Sequence, residues 1–266
     1  YKVSADQDLL KLLNGTTLHG AQYLTEDASK KQEPLTYYHR TTPAGKVLSG
    51  GHFATQRIGI VGLGVGTLSA YGKKGEEMDF FELDPDMALF VNVFSYIENS
   101  NAKLNFFYED ARIALAKTPW GHYNMLVIDA FSGDSVPVHL LTTDAILEYK
   151  KHLKSDGLVL FHISNRYLDL APVLFGNAGA VNAFALIDSN ESEGSAFCNS
   201  TWMALTWDQQ ISHTLVSELQ WQDAAASPKM ETNRPWTDKY SNIPSVLMLD
   251  KFVNSIQKFT PFSWQG

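Results

Sequence analysis

The chain has 266 residues, 44% hydrophobic and 19% charged, which is the profile of one large folded domain with room for a small appendage. Its formal net charge of −8, with Lys and Arg scattered along the chain, excludes the basic stripe that nucleic-acid binding requires. The single cysteine, Cys198, excludes an internal disulfide and any four-cysteine or CxxC metal site, and it fits a reducing compartment.

Residues 1–50 differ from the rest. YKVSA, LLKLLNG and TTLHGAQYL read as short strands joined by turns at Asn14-Gly15 and Gly20, and this region is expected to form a small antiparallel β cap. From residue 51 to 266 the pattern predicts a single larger α/β domain. Its strands are expected at 57–63, 78–83, 104–108, 124–130 and 158–164, with less regular ones at 180–187 and 201–207. TLSAYGK, PDMALFVNVF, DARIALAK and TTDAILEYKKHLK supply the intervening helices. The last carries apolar residues at Ala145, Ile146, Tyr149 and Leu153, a helical period, and Gly157 is read as its stop. Near-continuous apolar strands between amphipathic helices predict a mostly parallel sheet covered on both faces, an α/β fold. The uncharged run 170–187 is interrupted by Pro172, Gly176, Asn177, Gly179 and Asn182, which makes it a poor bilayer span. Residues 220–240 read as a surface loop. No signal peptide is visible, and the strand-like opening residues suit a chain that begins inside a larger protein.

The chemistry concentrates at the carboxyl ends of the predicted strands, where open α/β sheets bind ligands. The turn GLGVGT places Gly62, Gly64 and Gly66 between a strand and a helix, and Glu82 follows Gly62 by twenty residues at the end of the next apolar strand. Glycines let backbone approach a nucleoside, and the acid takes the ribose hydroxyls. Asp110 follows the third strand, where a carboxylate suits an adenine amino group, although Asp110 also reads as a helix N-cap. Asp129 ends the fourth strand ahead of the loop AFSGDSVPVHLLT, where an acid is suited to proton transfer. His19, His39 and His162 fall near this site without metal-pair spacing. Gln22 is a further substrate-side candidate. Phe80, Phe81, Phe106 and Phe107 read as core. Trp236 and Asp238 in PWTDKYSN are expected to fold back toward the pocket.

With these residues in view, the chain resembles the spermidine synthase family, most closely its bacterial branch fused to membrane segments. NGTTLHGAQYL, YYHRTTPAG, VGLGVGT, FFELDPD, YEDAR, YNMLVIDAFSGDSVPVHLLT, GLVLFHISNRYLDL and PWTDKYSN carry the resemblance over nearly the whole chain. It implies a small N-terminal antiparallel β-domain before an α/β domain with a Rossmann-like, methyltransferase-type, mostly parallel sheet. It also implies Glu82 on the ribose, Asp110 and Ala111 on the adenine, and Asp129 orienting and deprotonating the attacking amine. Tyr38 and His39 match the family's tyrosine–glutamine pair at the substrate pocket. Residues 130–138 match its lid, with Ser132 and Asp134 as substrate-side candidates.

Three positions depart from the family. Val65 stands where an aspartate clamps the donor's aminopropyl ammonium. Ser132 replaces a second loop aspartate, with Asp134 two residues on. After the fifth strand, Ser164 and then Arg166 replace a polyamine-binding carboxylate. A buried diammonium chain needs paired acids, whereas Arg166 suits a ligand that bears a carboxylate.

The expectation is therefore an enzyme acting on S-adenosylmethionine or its decarboxylated form and releasing methylthioadenosine, with no metal. The family default is aminopropyl transfer to a polyamine. The rivals are an acceptor-independent S-adenosylmethionine lyase or cyclase, a methyltransferase, and a non-catalytic nucleoside sensor. A small-molecule substrate, no nucleic acid and a homodimer are expected. So is a cytoplasmic location, with tethering to the inner face of the membrane by a fused N-terminal segment outside this chain.

Overall fold

In the computed structural model, residues 1–6, 8–15, 17–130, 137–191, 196–226, 234–249 and 251 are described. The chain opens with strands β1 (Lys2–Asp6), β2 (Leu9–Asn14) and β3 (Thr17–Tyr23), paired antiparallel in the order β1-β2-β3. This is the expected cap. Asn14-Gly15 forms the second hairpin turn, with Gly15 at φ +59°. Gly20, expected as a turn, lies inside β3. A Cβ there would fall 2.4 Å from a methyl of Val65, so a strand glycine marks a close approach between elements.

Two short helices follow, α1 (Ala28–Lys31) and α2 (Pro43–Ser49). Pro43 occupies the first turn of α2, and the Thr42 hydroxyl caps it through the Gly45 N–H at 3.2 Å, an arrangement proline and threonine favour. The α/β part then runs β4 (Arg57–Val61), β5 (Glu77–Phe81), α3 (Met87–Val91), β6 (Lys103–Phe107), α4 (Ala111–Leu115), β7 (Tyr123–Ile128), α5 (Thr143–His152), β8 (Leu153–His162), α6 (Ala171–Ala180), β9 (Phe184–Asn190), β10 (Ser200–Thr206), α7 (Gln209–Ser217) and β11 (Gln222–Asp223). These eight strands form one sheet in the order β11-β9-β10-β8-β7-β4-β5-β6. The pairings among β6, β5, β4, β7 and β8 are parallel, and those of β10 with β8 and β9, and of β9 with β11, are antiparallel.

The pleat sends alternate residues to opposite faces. Ile58, Ile60, Met125, Val127, Leu158 and Leu160 join a core with Val47 and Leu48 of α2 and Leu215 of α7. Val61, Leu126, Ile128, Val159 and Phe161 join a second core with Leu115 of α4, Ile146 and Tyr149 of α5 and Leu174 of α6. A central sheet buried on both sides results, as the unbroken apolar strands predict. The order of the first strands places β5 on one side of β4 and β7 on the other, so the crossover direction reverses at β4. The crevice at such a switch point is the default ligand site of open α/β sheets.

Several boundaries differ from expectation. Helix α5 stops at His152, and the chain runs directly into β8 because Leu153 already pairs with Tyr123. Gly157 is therefore a strand residue rather than a helix stop. TLSAYGK forms only a 3-10 turn, Thr67–Tyr71. The run 170–187 holds helix α6, with Pro172 in its first turn where a proline is tolerated. Among the described residues no helix is long and apolar enough to cross a membrane.

The cap seats on the α/β part through specific polar bonds. Gln22 Nε2 donates to Ser95 Oγ at 3.0 Å, and the Ser95 N–H donates to Gln22 Oε1 at 3.1 Å. The buried Tyr96 hydroxyl lies 2.9 Å from the carbonyls of both Ala21 and Glu33 and shares its one hydrogen between them.

Candidate active site

A cleft of about 1390 Å³ opens at the carboxyl ends of β4, β5, β7 and β8, with the cap forming one wall. Gly62, Gly64, Glu82, Asp110, Ala111, Asp129, Tyr38, His19, Ser164 and Arg166 all line it. The strand-end reading thus brings most of its candidates to one place.

Gly62 follows β4 directly. Its N–H donates to Phe81 O at 2.8 Å, and its φ is +100°. A Cβ at this residue would stand 2.1 Å from the carbonyl oxygen of Asp129. Only glycine lets β4 and β7 close so tightly at their ends. Gly64 also lines the cleft, with φ +52°. Gly66 does not; it sits at φ +79° against Ile97 and turns the chain into the 3-10 segment.

Glu82 braces this turn. Its Oε2 accepts from the Leu63 N–H at 3.0 Å and its Oε1 from the Asp84 N–H at 2.9 Å. Each oxygen retains a lone pair for a ligand, so the carboxylate fits a diol while fixing the glycine turn. On the ribose role that the family resemblance implies for Glu82, Glu82→Ala is expected to weaken methylthioadenosine binding by about 10- to 100-fold, since hydrogen bonds to a charged group contribute about 1.5–3 kcal/mol each. Calorimetry on the variant checks this, and unchanged affinity would remove the ribose assignment.

Asp110 caps α4, with Oδ1 accepting from the N–H groups of Arg112 and Ile113 at 3.0 and 3.2 Å. The N-cap reading is thus realised; Oδ2 meets His139 Nε2 at 3.0 Å, and both residues line the cleft. His139 went unassigned in the sequence, where nothing in its spacing set it apart.

Asp129 lies at the centre, its side chain 7% exposed. Its N–H donates to Val61 O at 2.9 Å. Oδ2 accepts from the Tyr38 hydroxyl, and Oδ1 meets His162 Nδ1 at 2.8 Å. Tyr38 is in turn located by its carbonyl, which accepts from the Tyr71 hydroxyl. Tyr37 lies beside Asp129, and burial together with that negative charge holds its phenol well above the usual range. His19, from the cap, also lines the cleft. Burial lowers its pKa, partly offset by the charge of Asp129.

Other expected members stand elsewhere. His39 points out of the cleft, bonded to Thr41 Oγ1 at 2.8 Å, 3.5 Å from Glu33 and edge-on to Phe197. The turn that brings Tyr38 inward, closed by the Thr42 N–H on His39 O at 2.9 Å, leaves its neighbour outside. Gln22 is spent on Ser95 and is not a cleft residue. Ser132 and Asp134 lie outside the described residues. Ser164 lines the cleft, with its hydroxyl accepting from the Thr201 N–H at 2.8 Å. Arg166 lies nearby, over the Tyr167 ring. Trp236 is buried against Val173 and Val246. Asp238 forms a two-pronged pair with Arg112 at 2.8 Å and accepts from the Thr142 hydroxyl, and the guanidinium holds its carboxyl below the usual range. PWTD therefore ties α4 to the start of α5 instead of entering the pocket. Phe80 and Phe81 are core, as expected. Among the described residues no group of three or more His, Cys, Asp or Glu could hold a metal ion.

Strand order, glycine turn and crevice define a Rossmann-like methyltransferase-type domain carrying a β cap. No family model matches the chain. A polyamine aminopropyltransferase from Vibrio vulnificus (strain CMCP6) is 29% identical over 158 residues, 56% of this chain and 51% of that protein. The chain thus spans about half the length of this curated relative. A solved structure described as a probable spermidine synthase from Corynebacterium glutamicum ATCC 13032 shares the fold. Its TM-score is 0.64 at 15% identity, covering 91% of this chain and 94% of that one. The chain is thus similar in sequence, over about half its length, to a polyamine aminopropyltransferase, and it shares its fold with a probable spermidine synthase.

Proposed function

We propose that this chain is a spermidine-synthase-like transferase. It binds S-adenosylmethionine or its decarboxylated form across the ends of β4, β5 and β6 and breaks the bond between sulfur and the alkyl chain, releasing methylthioadenosine. One observation carries the reading: Asp129 stands at the switch point, its carboxylate oriented by two side chains and facing the same cleft as Glu82 and Asp110. The sulfonium makes its neighbouring carbon electrophilic. In the transferase reaction an amine nitrogen attacks that carbon, the carbon–sulfur bond breaks, and the pair of electrons stays on sulfur. An alkyl ammonium has a pKa of about 10, so its proton must leave before attack. Asp129 accepts it and holds the amine in line.

A second reading has its own support. Val65, where the family carries a donor-clamping acid, is buried and packed on Gly20, so the glycine turn offers no charge to an aminopropyl ammonium. The Ser164 hydroxyl is engaged by the Thr201 N–H. Both favour intact S-adenosylmethionine, whose own carboxylate or amine can displace the sulfur without an acceptor.

Mass spectrometry of products from each donor, with and without putrescine, decides. Methylthioadenosine only with decarboxylated donor and amine is expected for the transferase, and methylthioadenosine without acceptor for the lyase. S-adenosylhomocysteine, or no turnover despite binding, would overturn both.

A further inference from the structure

We infer that His162 is the positioning residue of the acid at the switch point: its Nδ1–H donates to Asp129 and fixes the plane of the carboxylate that receives the proton. The inference rests on the reading of Asp129 as base.

The placement follows from register. Ile128 of β7 pairs with Phe161 of β8 in parallel, so the next residues along, Asp129 and His162, end adjacent strands side by side. Their side chains are 7% and 6% exposed and meet at 2.8 Å. An ionised carboxylate can only accept, so the nitrogen facing it carries the hydrogen and the tautomer is determined by this contact. The Tyr38 hydroxyl donates to the other oxygen. Two donors on two different oxygens remove the rotation of the carboxyl group about its last bond. The reacting lone pair then keeps a single direction, which in-line attack requires.

His162 cannot turn away from this duty. Its ring stacks on Tyr37 at 4.5 Å and 21° and on Trp202 at 4.7 Å and 26°. Trp202 is its direct cross-strand partner on β10, and Tyr37 comes from the segment that also supplies Tyr38. Rings on strand and loop therefore hold the imidazole, and the imidazole holds the acid. A residue that merely filled the core at this position would need no nitrogen aimed at Asp129.

Two variants separate donor from filler. His162→Phe keeps a stacking ring and loses the donor. His162→Asn loses the ring but places an amide N–H close to where Nδ1 stood. Positioning predicts that His162→Phe lowers kcat for methylthioadenosine release by about 10- to 100-fold with little change in KM, and that His162→Asn restores most of it. Retained activity in the phenylalanine variant with loss in the asparagine variant would assign a packing role and overturn the inference. A second measurement needs no turnover. In the ligand-free protein labelled with 15N-histidine, the His162 Nδ1 proton is expected far downfield, as in a charge-assisted hydrogen bond, and Asp129→Asn should abolish that signal. A signal that is absent, or that survives the substitution, refutes the contact. Failure of the wild type to process either donor counts against the proposed reaction, and the proton signal still decides the role of His162.

Discussion

Asp129→Asn is expected to lower turnover by roughly 10²- to 10⁴-fold while methylthioadenosine binds with nearly unchanged affinity. The amide cannot take the proton of an attacking amine. The groups that contact the nucleoside in the proposed pose, Glu82, Asp110 and the glycine turn, come from β4, β5 and β6, whereas Asp129 ends β7. Binding and chemistry are therefore carried by different strand ends and should separate. Affinity is read by calorimetry and turnover by product mass spectrometry on the same preparation. An equal loss of both would place Asp129 among the binding groups and remove its assignment as base. The substitution also puts a second donor in front of His162, so part of the loss would come from a displaced imidazole.

The second large effect is structural. Gly62→Ala is expected to destabilise the fold and disable the site together. A left-handed backbone angle in a residue with a side chain costs about 1–3 kcal/mol. The added Cβ would also stand 2.1 Å from Asp129 O, so the ends of β4 and β7 must part. For a chain of this size each kcal/mol lowers Tm by about 2–4 °C. Gly179→Ala, next to the last residue of α6, is the contrast: nothing lies within 4 Å of the added carbon, so no comparable loss is expected. A Gly62→Ala protein that melts and turns over like the wild type would show that the switch point does not need this approach.

The parallel strands were legible because burial on both faces leaves long apolar runs ending in single polar residues. Glu82 and Asp129 announced themselves by that break, and each lines the cleft. His162 ends β8 by the same rule, but a lone histidine after an apolar strand carries no partner in its own sequence, and its bond to Asp129 depends on the register of two strands far apart in the chain. His39 and Gln22 failed for the complementary reason. Tyr38 beside His39, and His19 three residues before Gln22, line the cleft, while the local turn and the cap contact send His39 and Gln22 elsewhere. Gly20 looked like a turn because a glycine needed for tertiary approach reads the same as one needed for a bend. Helix α6 was hidden by its glycines, proline and asparagine. Asn177 is nevertheless buried and used, donating to Leu141 O at 2.6 Å and accepting from the Trp236 N–H at 2.8 Å.

The meeting of Gly20 with Val65 has an implication for how this molecule can be rebuilt. The three-stranded unit at the start does not hinge over a finished pocket; it is the footing on which the glycine turn rests. Grafting that unit from a relative, or cutting it away, would leave the Val65 side chain unsupported and let the turn sag. Exchange between relatives must therefore carry Gly20 and Val65 as one block, with Gln22 and Ser95 travelling alongside.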